Sequence, residues 1–296
     1  RMKVVYGHTD SIYCTVDSID EAQEACIKIN EGVQKLFPNV FDWSEHPVQL
    51  EFEKFFESLG VGSTKNRNAG LISWKDGMSL DEKEFVMTGF TAKRVSETPL
   101  SKDVQITTLK KWINGESKEM ISQYLNDLYT KVISGDDSIA TMSLVKRSRY
   151  RPERFQVKCS NCNRKTTLVK LSKAICCNKM NIQTLSGKRP TVSAGVEGVL
   201  YHNLTNPIPI EDSYLFIKVK NMGVTYTHPV NRNVVEPSYF SALSMSEIED
   251  LGRDKIDWKY YANTVSKKAE PIFNAMSWDL NSISRDTRQK TLEDWF

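Results

Sequence analysis

Residues 3–14 read Lys-Val-Val-Tyr-Gly-His-Thr-Asp-Ser-Ile-Tyr-Cys, and this stretch decides how the start of the chain folds. Two runs rich in β-branched and aromatic residues flank a short polar segment, which predicts two strands joined by a tight turn. Asp10 falls in that turn, where a hairpin holds its side chains at the edge of a sheet. Because carboxylate oxygens suit Mg²⁺, Asp10 is a candidate metal ligand, but one carboxylate alone cannot hold the ion. The other interpretation is a plain polar turn.

The same residues resemble the Tyr-Gly-Asp-Thr-Asp-Ser palm motif of family B DNA polymerases, particularly those of archaea and archaeal viruses. In that family the second Asp of the motif binds both catalytic metal ions, and Asp10 occupies its place. His8 replaces the first Asp, which is the less directly metal-bound of the two, and Thr9 lies between them. The resemblance therefore implies a Mg²⁺-dependent catalytic site at His8, Thr9 and Asp10. His8 could also hydrogen-bond the primer end or remain a neutral turn residue.

A second pattern begins at Val48. Residues 48–55 alternate between apolar and polar types and predict a strand with one buried face. Glu51 and Glu53 then point the same way, either to solvent or towards the cation of Asp10, so Glu53 is a second candidate Mg²⁺ ligand. If all three carboxylates converged, they could also serve a self-sufficient metal nuclease.

Residues 50–55 and 64–71 together resemble the palm strand of the same polymerase family and the Lys-Lys-Arg-Tyr-Ala-Gly-Leu motif that follows it, which contacts the primer–template. Lys65 and Arg67 match two of the motif's cations and would bind phosphates. Asn66 and Asn68 replace the second Lys and the Tyr, and an asparagine can hydrogen-bond but not stack. Taken alone, the segment also fits an exposed polar turn.

The rest of the chain predicts three helical regions and one further strand. Ser18 can cap a helix that runs to about Phe37. Residues 102–133 predict two helices with a break at Gly115. The other predicted elements are a strand at residues 213–220 and a helix from Asp257 to about Met276. That last helix resembles the Asp-x-x-Tyr-Tyr helix of archaeal family B polymerases, and Lys93 with Arg94 takes the basic positions at the family's exit from palm to thumb.

Positive charge is concentrated in one region. The net charge is only +3, but residues 146–173 hold ten basic residues and one acid, an excess of nine positive charges. Such an excess can attract a polyanion and release its counterions, or it can be a solvated face. The candidate DNA-binding residues here are Lys146, Arg147, Arg149 and Arg151.

Four of the six cysteines lie within nineteen residues: Cys159, Cys162, Cys176 and Cys177. This crowding is more typical of metal ligation than of a disulfide framework. Cys-x₂-Cys is the knuckle of a zinc ribbon, but the second half is an adjacent pair, which departs from the ribbon pattern. The alternatives are a Zn²⁺ site and a lapsed ribbon held by packing.

The chain ends on a polar, proline-free segment followed by Gln-Lys-Thr-Leu-Glu-Asp-Trp-Phe. In one short helical turn Leu292, Trp295 and Phe296 would form a hydrophobic plug, with Gln289 in a side pocket, which is the pattern of a peptide that binds a PCNA-like sliding clamp. The alternative is a terminal turn packed on its own domain.

The composition is ordinary for a globular chain, with 40% hydrophobic and 26% charged residues over a length of 296. No apolar run reaches the roughly 20 residues of a membrane span, and no signal-like segment opens the chain. We therefore expect no membrane partner and a cytoplasmic location. The resemblance narrows this to a nucleoid-associated protein of a prokaryote or a viral replication protein in such a host.

Together these patterns predict an α+β protein, in which part of an antiparallel palm sheet with helices precedes a mainly helical thumb with a small Cys-rich insert. The expected domains are residues 1–95 as the C-terminal part of the palm, 96–280 as the thumb with a zinc-ribbon-like insert at 155–185, and 281–296 as a flexible tail.

The resemblance implies template-directed nucleotidyl transfer on primer–template DNA by a two-metal mechanism. A second metal-binding Asp and a fingers helix are expected from an N-terminal polymerase part or a large subunit, because neither precedes residue 1. This would make the chain a naturally split subunit or a fragment. The alternative is a catalytically inactive subunit that binds DNA and tethers it to the clamp.

Overall fold

The computed structural model describes residues 2–8, 10–41, 43–149, 151, 155–168, 182–205, 213–228, 230–280 and 283. The chain forms two compact units. The first comprises Arg1–Phe90, Ile106–Ile121 and Glu270–Leu280, and the second comprises Thr91–Gln105, Ser122–Ala269 and Asn281–Phe296.

Strands and helices are both well represented. The described strands are β1 (Lys3–His8), β2 (Ser11–Thr15), β3 (Lys54–Val61), β4 (Asn68–Lys75), β5 (Met78–Thr88), β6 (Lys146–Arg149), β7 (Gln156–Cys159), β8 (Lys165–Thr167), β9 (Ile182–Thr184), β10 (Ser213–Lys218), β11 (Tyr226–Thr227), β12 (Val234–Val235) and β13 (Tyr239–Ala242). The described α-helices are α1 (Ile19–Leu36), α2 (Pro99–Ile113), α3 (Lys118–Ser134), α4 (Ala194–Thr205), α5 (Met245–Asp250) and α6 (Trp258–Ala275). All described strand pairs are antiparallel, so the predicted α+β class is confirmed.

The predicted N-terminal hairpin is confirmed. Strands β1 and β2 pair antiparallel, from Lys3 opposite Thr15 to His8 opposite Ser11, and the register shifts between Val4 and Tyr6. Helix α1 follows where the sequence predicts it. The Ser18 hydroxyl accepts a hydrogen bond from the backbone N–H of Glu21 at 3.1 Å, which satisfies one of the amide groups left open in the first turn.

The strand predicted at residues 48–55 is wrong over most of its length, because β3 begins only at Lys54. The reason lies at Leu50, whose backbone is bound by a side chain of α1. The Asn30 amide accepts from the Leu50 N–H at 2.7 Å and donates to its C=O at 2.9 Å. A backbone whose donor and acceptor are both occupied cannot join a sheet at that residue. The period-two pattern therefore does not place Glu51 and Glu53 on a strand face.

Strands β3, β4 and β5 form a three-stranded sheet in that order, and one face of it carries the core of the first unit. Ala69 of β4 packs with Leu109 and Ile113 of α2 and with Ile272 of α6. The predicted break between two helices is also confirmed: α2 and α3 are separated by Gly115, whose φ of +77° favours glycine.

The second unit contains a sheet in the order β13-β10-β6 and a smaller sheet in the order β8-β7-β9. Helix α4 packs on the first of these, where Val199 and Leu200 meet Phe155 and Tyr214 in a buried cluster. The strand predicted at 213–220 and the helix predicted from Asp257 are confirmed as β10 and α6. Asp257 accepts a hydrogen bond from the Tyr260 N–H at 3.1 Å and so caps α6. The other strands of this region were not predicted.

Across the described ranges, no helix combines the length and the apolar character that a membrane span requires.

Candidate functional site

Asp10 lies in the turn between β1 and β2, next to the closing pair His8–Ser11, and its side chain is exposed. A carboxylate at this place can be reached by an ion or by substrate. Thr9 lies outside the described residues, and only the backbone of His8 is described. The catalytic roles predicted for these two residues therefore stay predictions.

Two tyrosines fix the hairpin to the rest of the first unit. The rings of Tyr6 and Tyr13 lie 5.3 Å apart, and the ring of Tyr13 lies 6.0 Å from that of Phe56 on β3. The Tyr6 hydroxyl also donates a hydrogen bond to the Oδ1 atom of Asn66 at 3.2 Å. This contact links the hairpin that carries Asp10 to the turn between β3 and β4, sixty residues later in the chain.

That second turn carries the predicted DNA contacts. The Gly62 N–H donates to the C=O of Arg67 at 2.7 Å, which closes the turn, and Asn66 has a φ of +61°. Lys65 is exposed and Arg67 is half-buried. Two cations are thus held on a short loop that is joined to the Asp10 hairpin, as a site that binds the backbone of a nucleic acid near a metal would require.

Sequence reasoning allowed Asn66 to hydrogen-bond within a polar turn but did not predict its contact with Tyr6. Asparagine adopts left-handed backbone conformations more readily than most residues, because its short polar side chain bonds locally. Gly89 lies directly against this residue, since a Cβ atom built there would be 1.9 Å from the Asn66 carbonyl oxygen. The signal available in the sequence was the Asn-Arg-Asn run itself, which is typical of a turn.

Glu53 lies just before β3. Its C=O accepts a hydrogen bond from the Asp76 N–H at 3.1 Å, and its exposed carboxylate pairs with Lys54 at 3.4 Å. Within the described part of the chain, no group of three or more His, Cys, Asp or Glu side chains is placed to hold a metal ion. Mg²⁺ binding by Asp10 and Glu53 stays a prediction.

The remaining candidate DNA-binding residues lie in the second unit. Lys93 ends a short 3₁₀ helix, Thr91–Lys93, and both it and Arg94 are exposed. Strand β6 is the edge strand of its sheet, and Arg147 and Arg149 lie exposed on one face of it because alternate residues of a strand share a face. The remaining two are Lys146, on the other face of β6, and Arg151, which is exposed.

The first half of the cysteine cluster forms a tight turn after β7. The Cys159 N–H donates to the C=O of Arg164 at 3.0 Å, and the Asn163 N–H donates to the C=O of Cys159 at 2.9 Å. Asn163 has a φ of +55°. Cys159 is buried and Cys162 is exposed. Cys176 and Cys177 lie outside the described residues, as do Gln289, Leu292, Trp295 and Phe296 of the tail.

Comparison with known proteins places these features in a family. The family model described as DNA polymerase family B matches residues 1–185, which is more than half of the chain and includes the Asp10 hairpin and the Lys65–Arg67 turn. No individual curated protein matches the chain. With a family match of this extent over the segment that holds the candidate site, the chain belongs to DNA polymerase family B.

Proposed function

We propose that this chain supplies the end of the palm and the thumb of a DNA-directed DNA polymerase, which transfers nucleotides to a primer by a two-metal mechanism. The proposed domains are residues 1–95 for the palm, 96–280 for the thumb with its insert at 155–185, and 281–296 for a clamp-binding tail. One observation carries the proposal: the hydrogen bond between Tyr6 and Asn66 joins the Asp10 hairpin to the loop of Lys65 and Arg67. Family membership supplies the chemistry.

The residues present fit part of a Mg²⁺ site. Asp10 offers an exposed carboxylate in the hairpin turn, and carboxylates with substrate phosphates are the usual ligands of this ion. Family B polymerases generally use Mg²⁺, which lowers the cost of deprotonating the primer hydroxyl and neutralises charge on the phosphates. Asp10 would hold the ions jointly with a carboxylate from the rest of the palm, while Lys65 and Arg67 would orient the primer–template through its phosphates.

The hairpin itself supports the view that further palm residues dock here. Strands β1 and β2 form a two-stranded sheet with no third strand among the described residues, and such a hairpin is marginally stable alone. Its packed face carries Tyr6 and Tyr13. Its other face carries Val4 and Ile12, which are 60% and 50% exposed. We propose that this apolar face is covered by the N-terminal polymerase part or by a large subunit that supplies the missing metal ligand.

Reconstitution tests the catalytic proposal. Mixed with a polypeptide that supplies the rest of the palm, the chain should extend a primer, and Asp10→Asn should reduce the extension rate by a hundredfold or more, since a metal ligand stabilises transition-state charge by several kcal/mol. Asp17→Asn, at another exposed acid after the hairpin, is the matched control and should leave the rate unchanged. Full extension by the Asp10→Asn complex would refute the role of Asp10.

A second candidate function is a catalytically inactive subunit that binds DNA and tethers it to the sliding clamp. The observation that favours it is His8, which stands where the family motif has an acid. The rate of primer extension by a His8→Asp variant of the reconstituted complex distinguishes the two candidate functions. A large gain in the rate of extension indicates a decayed site, whereas little change indicates a working one.

A further inference from the structure

A cleft of about 200 Å³ lies within the second unit, and neither the sequence patterns nor the family match assigns it a role. Two kinds of side chain in its walls could hold a ligand. Lys146 and Lys218 supply amino groups, and Phe216, Tyr239 and Tyr260 supply ring faces. All five are half-buried, so part of each side chain remains accessible.

The sheet register brings these residues together. Lys146 of β6 is opposite Phe216 of β10, and Lys218 of β10 is opposite Tyr239 of β13. Because alternate residues share a face, all four lie on the same face of the sheet. Direct cross-strand neighbours have Cβ atoms about 5 Å apart and diagonal neighbours about 7–8 Å apart. The two lysines are diagonal neighbours, and both line the cleft, Lys218 with its amino group on the Tyr239 side.

Lys218 is fixed by the aromatic groups around it. Its Nζ atom lies 4.3 Å from the centroid of the Tyr239 ring and 5.8 Å from that of the Tyr260 ring. Its backbone N–H donates to the hydroxyl of buried Tyr261 at 2.9 Å, which ties β10 to α6. The ring of Tyr260 packs edge-on against Tyr261 at 5.1 Å. The ring quadrupoles attract the ammonium group and so favour its position in the cleft.

The acids near the cleft bind other groups, although the charges of Glu197 and Asp257 still act on Tyr239. Glu97, which lines it, pairs with Lys268 at 2.9 Å. Glu197 accepts hydrogen bonds from the N–H and hydroxyl groups of Ser238, and Asp257 caps α6. In the described ranges, no carboxylate lies within ion-pair distance of Lys146 or Lys218.

The phenol of Tyr239 adds no negative charge to the cleft. Burial raises its pKa above the ordinary value, so the ring stays neutral throughout the physiological pH range. The cleft therefore presents two lysine ammonium groups, neither of them within ion-pair distance of a described carboxylate, beside neutral aromatic faces.

We propose that this cleft binds one nucleotide unit of single-stranded DNA, with its phosphate between Lys146 and Lys218 and its sugar and base against Phe216 and Tyr239. Ring faces stack on every base, so binding would be tolerant of sequence. The cleft of about 200 Å³ is smaller than the 300–1,000 Å³ of typical ligand pockets, so it can hold no more than a single unit of a strand. The inference deepens the proposed DNA-binding role of Lys146 and rests on it.

The first test measures binding of the full chain to a fluorescein-labelled oligo(dT) eight-mer by anisotropy, without divalent metal and over a range of salt concentrations. Lys146→Met and Lys218→Met should each weaken binding about tenfold. Each should also reduce the slope of log K against log salt by about 0.7, the value for one lost single-strand phosphate contact. Lys218→Arg, which keeps the charge, should bind nearly as well as the parent chain.

Lys220→Met is the matched control, because Lys220 is exposed just beyond the end of β10 and carries the same charge. It should change the affinity less than twofold. Circular dichroism and thermal melting establish that each variant is folded. Equal losses in Lys218→Met and Lys220→Met would overturn the proposal, because only the overall charge would then matter.

A second measurement locates the strand and identifies the ligand class. Photocrosslinking with an oligonucleotide that contains 5-iododeoxyuridine should place an adduct on Phe216, Tyr239 or Tyr260, and adducts found only elsewhere would overturn the proposal. Thymidine monophosphate should compete better than inorganic phosphate if base or sugar is bound. Equal competition by a poly-glutamate peptide of the same charge would instead identify an acidic protein partner. The binding assay contains no divalent metal and does not depend on primer extension, so this inference and the catalytic proposal can fail separately.

Discussion

At the scale of single residues, the candidate site depends on positions that carry no catalytic chemistry. Asn66 adopts a left-handed backbone conformation, accepts a hydrogen bond from the Tyr6 hydroxyl and lies against Gly89. The loss of a lysine and a tyrosine from the family motif is visible in the sequence. The use of Asn66 as the contact point between two distant turns is not, because it depends on which loop lies opposite it after folding.

Gly89→Ala tests this packing. Gly89 has a φ of +77°, and an added Cβ would meet the backbone of Asn66. Gly77→Ala is a matched control, since Gly77 has a φ of +87° with no atom within 4 Å. The control should lose about 1–2 kcal/mol of stability for the left-handed conformation alone. Gly89→Ala should lose at least about 1 kcal/mol more, and it should weaken DNA binding through the displaced Lys65 and Arg67.

The free energy of unfolding from urea titrations, measured for both variants side by side, separates conformational cost from steric clash. Equal losses would show that the Asn66 turn can move aside, and that the close approach of Gly89 does not hold the Lys65–Arg67 loop in place.

At the scale of elements, the sequence was most informative where local chemistry decides the structure. The Ser18 cap, the break at Gly115 and the start of α6 at Asp257 all depend on neighbours in the chain, and all three were predicted. For residues 48–53 the prediction of a strand was wrong, although apolar and polar residues alternate there as they do in a strand. Asn30 of α1 binds the backbone of Leu50, and a tertiary contact of this kind leaves no periodic signal.

The same limit applies to the proposed sites. The hairpin that carries Asp10 follows from residues 3–14 alone, whereas the cleft of the second unit depends on the register of three strands from separate parts of the chain. Lys218 lies in a β-rich run, Tyr239 in a four-residue strand and Tyr260 in a helix. No spacing between them indicates that their side chains line one surface.

At this scale, the exposed apolar face of the hairpin leads to a testable prediction. Val4→Thr with Ile12→Thr keeps β-branched side chains on the exposed face but removes apolar surface. We expect the stability of the chain by itself to change by less than about 0.5 kcal/mol, as for most surface substitutions. Assembly with the rest of the palm should weaken tenfold or more, because buried apolar groups dominate interface energies.

Val234→Thr is the control, since Val234 is also exposed but lies on β12 of the second unit. It should leave assembly unchanged. The affinity for the complementing polypeptide is measured by calorimetry, beside primer extension. Unaltered assembly by the hairpin double variant would mean that this face is not the docking surface, whatever the outcome for Asp10.

At the scale of the whole molecule, the proposed functions are divided along the chain. The proposed metal ligand Asp10 and the Lys65–Arg67 loop belong to the first unit, and the basic strand β6 with the proposed nucleotide cleft belongs to the second. Each of these proposed surfaces would offer a few phosphate contacts, and salt weakens each such contact. A polymerase that holds DNA by such contacts alone releases it often, so a separate attachment to a sliding clamp would add effective concentration without adding DNA contacts.

The tail provides the last prediction. If Leu292, Trp295 and Phe296 enter a clamp pocket together, Leu292→Ala with Phe296→Ala should abolish binding to a sliding clamp, because two of three anchors of a small interface are lost. Lys290→Ala with Glu293→Ala changes spacer positions of the same peptide and should retain binding. Calorimetry with the full chain measures both, and the anchor variant should also lose the stimulation of primer extension by the clamp. Unchanged affinity of the anchor variant would remove the clamp from the proposal, while primer extension in the absence of the clamp would remain the test of Asp10.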